Sequence, residues 1–166
     1  MRTLSLLVAL AWPAFVWKEY GCELADRPSK ASLRAAAGPC EGSRPCKVMQ
    51  QMKNGLKTVG AAELATVLES DGPIVVSFYE EWCPESQAAL LVPSAPIAQV
   101  SEKRSAVQFV KVNMEQTAVP SLFGTLRHIP AIFLVRGSQV ARYRSDNISV
   151  SDFERFLDAH QSMLGE

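Results

Sequence analysis

The chain has 166 residues, with 17 Lys+Arg set against 17 Asp+Glu, so its formal net charge is zero. That length holds one domain with a tail rather than two, and a hydrophobic fraction of 48% is enough for a core. No basic surplus points to nucleic acid or an anionic membrane surface, and no internal repeat or heptad pattern points to a solenoid or coiled coil.

The N-terminus opens with Met1-Arg2-Thr3, then an apolar run from Leu4 to Trp17 closed by Lys18-Glu19. This run is shorter than the ~20 apolar residues a membrane span needs. It has the form of a secretory signal peptide over residues 1–21. Ala9-Leu10-Ala11 offers one cleavage spacing and the Gly21-Cys22 neighbourhood another; an uncleaved anchor is the alternative. The expected compartment is the endoplasmic reticulum lumen or the cell exterior, with no span left after cleavage.

Residues 22–50 read as a linker, rich in Ala, Gly, Pro, Ser and charge and without apolar periodicity. The cysteines are Cys22, Cys40, Cys46 and Cys83. No pair has two-residue spacing, and His128 and His160 stand alone, so they form no zinc set and no metal is expected. Cys40 and Cys46 flank a Gly/Ser/Pro turn and are expected to close a small disulfide loop; a second redox pair is the alternative. Cys22 is left odd, or is removed with the signal.

A folded domain is expected over 51–166. Val48 to Leu56 is weakly helical, and Leu56 to Val59 is a short first strand. Ala61 to Ser70 is an amphipathic helix with Leu64, Val67 and Leu68 on one face, ended by Asp71-Gly72-Pro73. Ile74 to Tyr79 is a strand covered on both faces. Trp82-Cys83-Pro84-Glu85-Ser86 follows, and a helix runs on to about Lys103, kinked or interrupted by Pro93 and Pro96. A cysteine at a strand-to-helix turn is a common reactive thiol, because the first helical amides favour its anion. Pro84 suits the first helical position.

Val107 to Asn113 is the next buried strand, parallel to the previous one across the helical crossover. Val119 to Leu126 is a short helix. His128-Ile129-Pro130 leads into the strand Ala131 to Val135, and Arg136-Gly137-Ser138 turns the chain into an antiparallel hairpin strand, Gln139 to Arg144. The last helix has Ser149 and Asp152 as caps and buries Val150, Phe153, Phe156 and Leu157. Asn147-Ile148-Ser149 is an N-glycosylation pattern in a loop. The order β-α-β-α-β-α-β-β-α makes an α/β sandwich.

The segment from about Leu56 to Leu164 resembles the thioredoxin fold, a three-layer α/β/α sandwich with a mixed central sheet. Val75-Val76-Ser77-Phe78-Tyr79, Glu81-Trp82-Cys83-Pro84, Val110-Lys111-Val112-Asn113 and Ile129-Pro130 carry the likeness. Phe78 to Pro84 looks like the protein disulfide isomerase branch. The turn is similar to those of thioredoxin-related transmembrane proteins and plant adenylylsulfate-reductase-like proteins.

The resemblance implies that Cys83 is the attacking thiol and that Ser86 stands where the resolving cysteine would be. It implies no intramolecular dithiol cycle, and it makes the Ser86 hydroxyl a hydrogen-bond donor to the Cys83 thiolate. Ser77 replaces a buried acid, and Glu85 replaces a histidine that would favour the thiolate, so Cys83 is expected to be less acidic than in that branch. Pro130 matches the family's cis-proline beside the sulfur. Trp82, Pro84, Ile129 and Pro130 would form the client surface, while His128 either approaches Cys83 or is a solvated loop residue. No cofactor is implied. The expected partners are cysteine-containing client proteins and glutathione or another thiol. Two functions follow: a single-cysteine thiol–disulfide exchange protein of the secretory pathway (a weak isomerase or client trap), or a redox-inactive binding or chaperone module.

Overall fold

The structure, a computed structural model, describes residues 21–29, 32, 56–145 and 147–165. Residues 1–20 of the proposed 1–21 signal peptide, most of the 22–50 segment and both Cys40 and Cys46 lie outside these residues. Among the described residues, no helix is long and apolar enough to cross a membrane.

In chain order the described strands are β1 (Cys22–Glu23), β2 (Lys57–Thr58), β3 (Ile74–Tyr79), β4 (Gln108–Asn113), β5 (His128–Ile129), β6 (Ala131–Arg136) and β7 (Gln139–Arg142). The α-helices are α1 (Ala61–Leu68), α2 (Pro84–Ser86), α3 (Pro96–Lys103), α4 (Val150–Asp158) and α5 (Gln161–Leu164). Five strands form the central sheet in the order β2-β4-β3-β6-β7. β2, β4 and β3 run parallel, whereas β6 is antiparallel to both β3 and β7. The mostly apolar run of β3, broken only by Ser77, is explained by its central place, where all six residues are buried. Arg136 pairs with Gln139, so Gly137-Ser138 is a two-residue hairpin loop, and Gly137 takes the positive φ of 56° that such loops demand.

Side chains alternate across this sheet and feed two cores. On one face Val75 and Tyr79 join Ile132 and Leu134 beneath α3, α4 and α5. On the other, Ile74, Val76 and Phe78 meet Val110, Val112 and Phe133 beneath α1, through Leu64. Phe78 is fully buried and meets the Phe123 ring edge-on at 4.8 Å. Helices on both faces of a mixed sheet give the expected α/β/α sandwich. Ser149 caps α4 as expected, accepting the Asp152 N–H at 3.1 Å.

Three elements differ from the sequence expectation. The long helix after Cys83 is not continuous: α2 runs into a wider π turn over Gln87–Leu91, and the helix stops before α3. Val92 and Ala95 each precede a proline and are extended (ψ 153° and 133°), because a proline ring crowds the helical conformation of the residue before it. The 119–126 region holds only one 3-10 turn, Ser121–Phe123. Finally, the supposed linker begins with structure: β1 pairs antiparallel with β5, and a 3-10 turn over Leu24–Asp26 follows.

Candidate functional site

Cys83 ends the connection from β3 and caps α2 with extended backbone, φ −84° and ψ 115°. Pro84, at the first helical position, has no N–H to satisfy, and the Ser86 main-chain N–H reaches the Cys83 sulfur at 3.4 Å. Gln87 N–H closes the turn on the Cys83 carbonyl at 3.0 Å. The Ile129–Pro130 bond is cis, and the Ile129 carbonyl oxygen lies 3.4 Å from Cys83 Sγ. Ile129 and Pro130 are buried, Trp82 is half-buried, and Pro84 is exposed. The turn and the proline loop are thus brought together as expected.

Ser86 behaves differently from the expectation. It is fully buried, and its hydroxyl has no hydrogen-bond partner among the described residues; the contact with Cys83 comes from its main chain. Ser77 is likewise buried with an unpartnered hydroxyl, so the site behind Cys83 carries no carboxylate at that position. Asn147 lies in an exposed loop leading into α4. His128 is half-exposed and pairs through β5 with Glu23.

The larger correction concerns Cys22. It is bonded to Cys83 in a disulfide, with Cα atoms 5.9 Å apart and a sequence separation of 61. This Cα distance is ordinary for a disulfide. The reading of Cys22 as an odd cysteine, and of Cys83 as the only sulfur in its site, therefore does not hold. Cys83 is completely buried and is bonded to the first residue of β1.

Glu80 and Arg27 were not singled out from the sequence. Glu80 is 1% exposed, accepts the Trp82 indole N–H, and pairs with Arg27 Nε at 2.8 Å. A buried carboxylate needs such partners, and here they tie the N-terminal segment to the turn. The available signal was an acid ending an apolar strand.

Glu85 Oε2 stands 2.7 Å from Cys22 Sγ and 3.4 Å from Cys83 Sγ. Once the bridge opens, this carboxylate disfavours a thiolate by about 1 kcal/mol in full water and about 4 in partly buried surroundings, for charges ~4 Å apart. One N–H donated to an anion returns about 1.5–3 kcal/mol. Glu85 is half-exposed, so water screens part of its repulsion. With both sulfurs engaged in the disulfide, the Cys22–Cys83–Glu85 cluster has the donor types for a metal but not the free thiolates.

Further back, Lys111 on β4 pairs with Ser77 and is 8% exposed. Burial lowers its affinity for a proton below the ordinary lysine value of 10.5, and nearby Glu81 opposes that shift.

Comparison with known proteins places these features. The sequence family described as thioredoxin matches residues 55–159. A thioredoxin of Haemophilus influenzae is 29% identical over 99 residues, which is 58% of this chain and 87% of that protein. A thioredoxin of Rickettsia felis is 36% identical over 75 residues, or 44% of this chain and 67% of its own length. The fold resembles chloroplastic thioredoxin z (TM-score 0.54, 15% identity, covering 64% of this chain and 95% of that one). It also resembles the thioredoxin of Trichomonas vaginalis (TM-score 0.50, 19% identity, 65% and 99% covered).

Proposed function

The chain belongs to the thioredoxin family and is a thioredoxin-like thiol–disulfide redox protein; within that class we propose a thiol–disulfide exchange protein of the secretory pathway, with Cys83 as the attacking thiol. The observation that carries this reading is the setting of the Cys83 sulfur. It lies between the Ser86 N–H and the Ile129 carbonyl at the cis-proline, already joined by a disulfide to an extended strand paired with Ile129. A client cysteine presented on an extended chain would meet the same sulfur beside the same strand. Trp82 and Pro84 flank this position, so they are the side chains such a client meets first.

The reaction is exchange. The Cys83 thiolate attacks one sulfur of a client disulfide, forms a mixed disulfide, and releases the other client sulfur as a thiolate. Client proteins and glutathione are the partners this chemistry takes. The apolar N-terminal run and the N-glycosylation pattern at Asn147 support secretory entry, where disulfides persist.

The test is to reduce the full chain, equilibrate it in a mixture of reduced and oxidised glutathione, quench with an alkylating agent, and map the peptides by mass. Glutathione on Cys83, or a disulfide from Cys83 formed through it, is expected. A Cys83 that stays a thiol throughout sinks the reading. The rival reading, a redox-inactive binding module, is favoured by β1 itself, an extended segment that pairs with β5 through its main chain. Client binding unchanged by Cys83→Ala would favour it.

A further inference from the structure

The family-like turn has Ser86 at the place of a second sulfur, yet Cys83 is not without one. We propose that Cys22 is the resolving cysteine of this protein: β1 docks on β5 beside Pro130, and its thiolate displaces a bound client from Cys83. This rests on the reading of Cys83 as the attacking thiol.

Several independent contacts dock this segment. Cys22 pairs with Ile129 and Glu23 with His128, and the Leu24 N–H donates to the Arg127 carbonyl at 2.8 Å. Leu24 packs against the core beneath α1. Arg27 pairs with the buried Glu80 carboxylate at 2.8 Å. At the other end Gly21, with φ of 131°, lies so close to β5 that a Cβ there would sit 2.3 Å from the Ile129 oxygen. Only glycine allows that approach without displacement. The contacts extend from Gly21 to Arg27 and hold Cys22 at the Cys83 sulfur, which a sulfur pair alone would not require.

The cycle balances. Cys83–S⁻ attacks the client disulfide, giving the Cys83–client mixed disulfide and one client thiolate. Cys22–S⁻ then attacks the Cys83 sulfur, forming Cys22–Cys83 and releasing the second client thiolate. Two electrons pass from the protein dithiol to the client disulfide, and each released thiolate takes a proton from water. Two glutathione thiols, leaving as glutathione disulfide, reset the pair. Among the described residues β5 pairs only with β1, so client and β1 occupy this strand in turn. Arrival of β1 thereby couples resolution to client release.

The test follows reduced full-length protein, Cys22→Ser and Gly21→Ala after addition of glutathione disulfide, with alkylation quenching and mass mapping. The parent is expected to pass through a Cys83–glutathione adduct to the Cys22–Cys83 bridge. A tethered thiol works at an effective concentration of about millimolar. Against ~0.1 mM free thiol, Cys22→Ser should therefore hold its Cys83 adduct at least about tenfold longer. Gly21→Ala keeps the thiol but spoils docking, and should resolve more slowly than the parent. The inference is overturned if Cys22→Ser sheds glutathione as fast as the parent, if Gly21→Ala matches the parent, if Cys40 or Cys46 is the partner found on Cys83, or if the mature chain begins after Cys22. Absence of any Cys83 adduct in Cys22→Ser is a different result, and it removes the functional reading itself.

Discussion

Cys83 has two flanks, and they are built by different physics. On one side, Pro84 to Gln87 is a local turn: a proline at the helix start and a main-chain N–H within three residues of the sulfur. On the other, Gly21 to Arg27 and Ile129–Pro130 arrive from distant parts of the chain and meet through strand pairing, while an ion pair to Glu80 and a disulfide to Cys83 fix the first of them to the turn. The local flank has the geometry expected of a thiol-exchange turn but a hydroxyl where a second sulfur would complete it. The distant flank supplies the sulfur. Loss of a group at one position therefore need not mean loss of its chemistry.

The most direct way to break this contrast is to restore sulfur to the local flank. In Ser86→Cys the new thiol occupies a buried site one turn from Cys83, where the hydroxyl has no partner among the described residues. Peptide mapping of the air-oxidised variant is expected to show Cys83 bridged mostly to the introduced thiol, with Cys22 free to alkylate. A bridge that stays mainly on Cys22 would mean that the docked segment outcompetes a neighbour one helical turn away. Arg27→Ala weakens the distant flank at its ion pair with Glu80. A partly exposed ion pair contributes about 1 kcal/mol, which as an equilibrium factor is roughly fivefold. Reduction of the Cys22–Cys83 bridge by dithiothreitol should proceed further by about that factor, and an unchanged bridge would show that the Glu80 pair holds nothing in place.

How far each flank was legible in the sequence follows from the same contrast. β3, the hairpin at Gly137 and the Ser149 cap are local patterns, read directly from apolar runs, a glycine and a capping serine. The break after Leu91 was half-visible, since Pro93 and Pro96 announce an interruption but not the π turn before it. That Ile129–Pro130 meets Cys83 came from the family resemblance rather than from periodicity. β1 was not legible at all. Two residues are too few for an alternation pattern, and their partners are main-chain groups that leave no mark on side-chain composition. Glu80 and Arg27 looked like ordinary charges until the fold buried one against the other. Cys22 showed only as a cysteine to spare.

Glu85 belongs to both flanks, since its carboxylate lies near both sulfurs. Glu85→Gln removes the charge and keeps the size. If the carboxylate opposes the thiolate by about 1 kcal/mol, alkylation of reduced Cys83 at neutral pH should quicken by roughly threefold to tenfold. A slower reaction would show that the carboxylate assists, for example by accepting the thiol proton.

The smallest effect reaches the local flank from behind, through Lys111 and its partner in charge, Glu81. Burial lowers the proton affinity of Lys111 in the folded chain below the ordinary 10.5, and Glu81 only partly restores it. The unfolded chain therefore binds that proton more tightly. This penalty on folding is fully present below the lowered folded value and fades as pH rises from that value towards 10.5. Tyr79 and Tyr143, both raised above 10.0 chiefly by burial, act in the opposite direction at high pH, because the unfolded chain releases their protons first. Both tyrosines remain in Lys111→Met, so the difference between variant and parent isolates the lysine. Thermal melts are expected to favour Lys111→Met most at neutral pH, with the advantage shrinking as pH approaches 10.5. A gap that is constant across this range would assign the effect to packing, and a gap of the opposite sign would make the Glu81 attraction the larger force at the base of the turn.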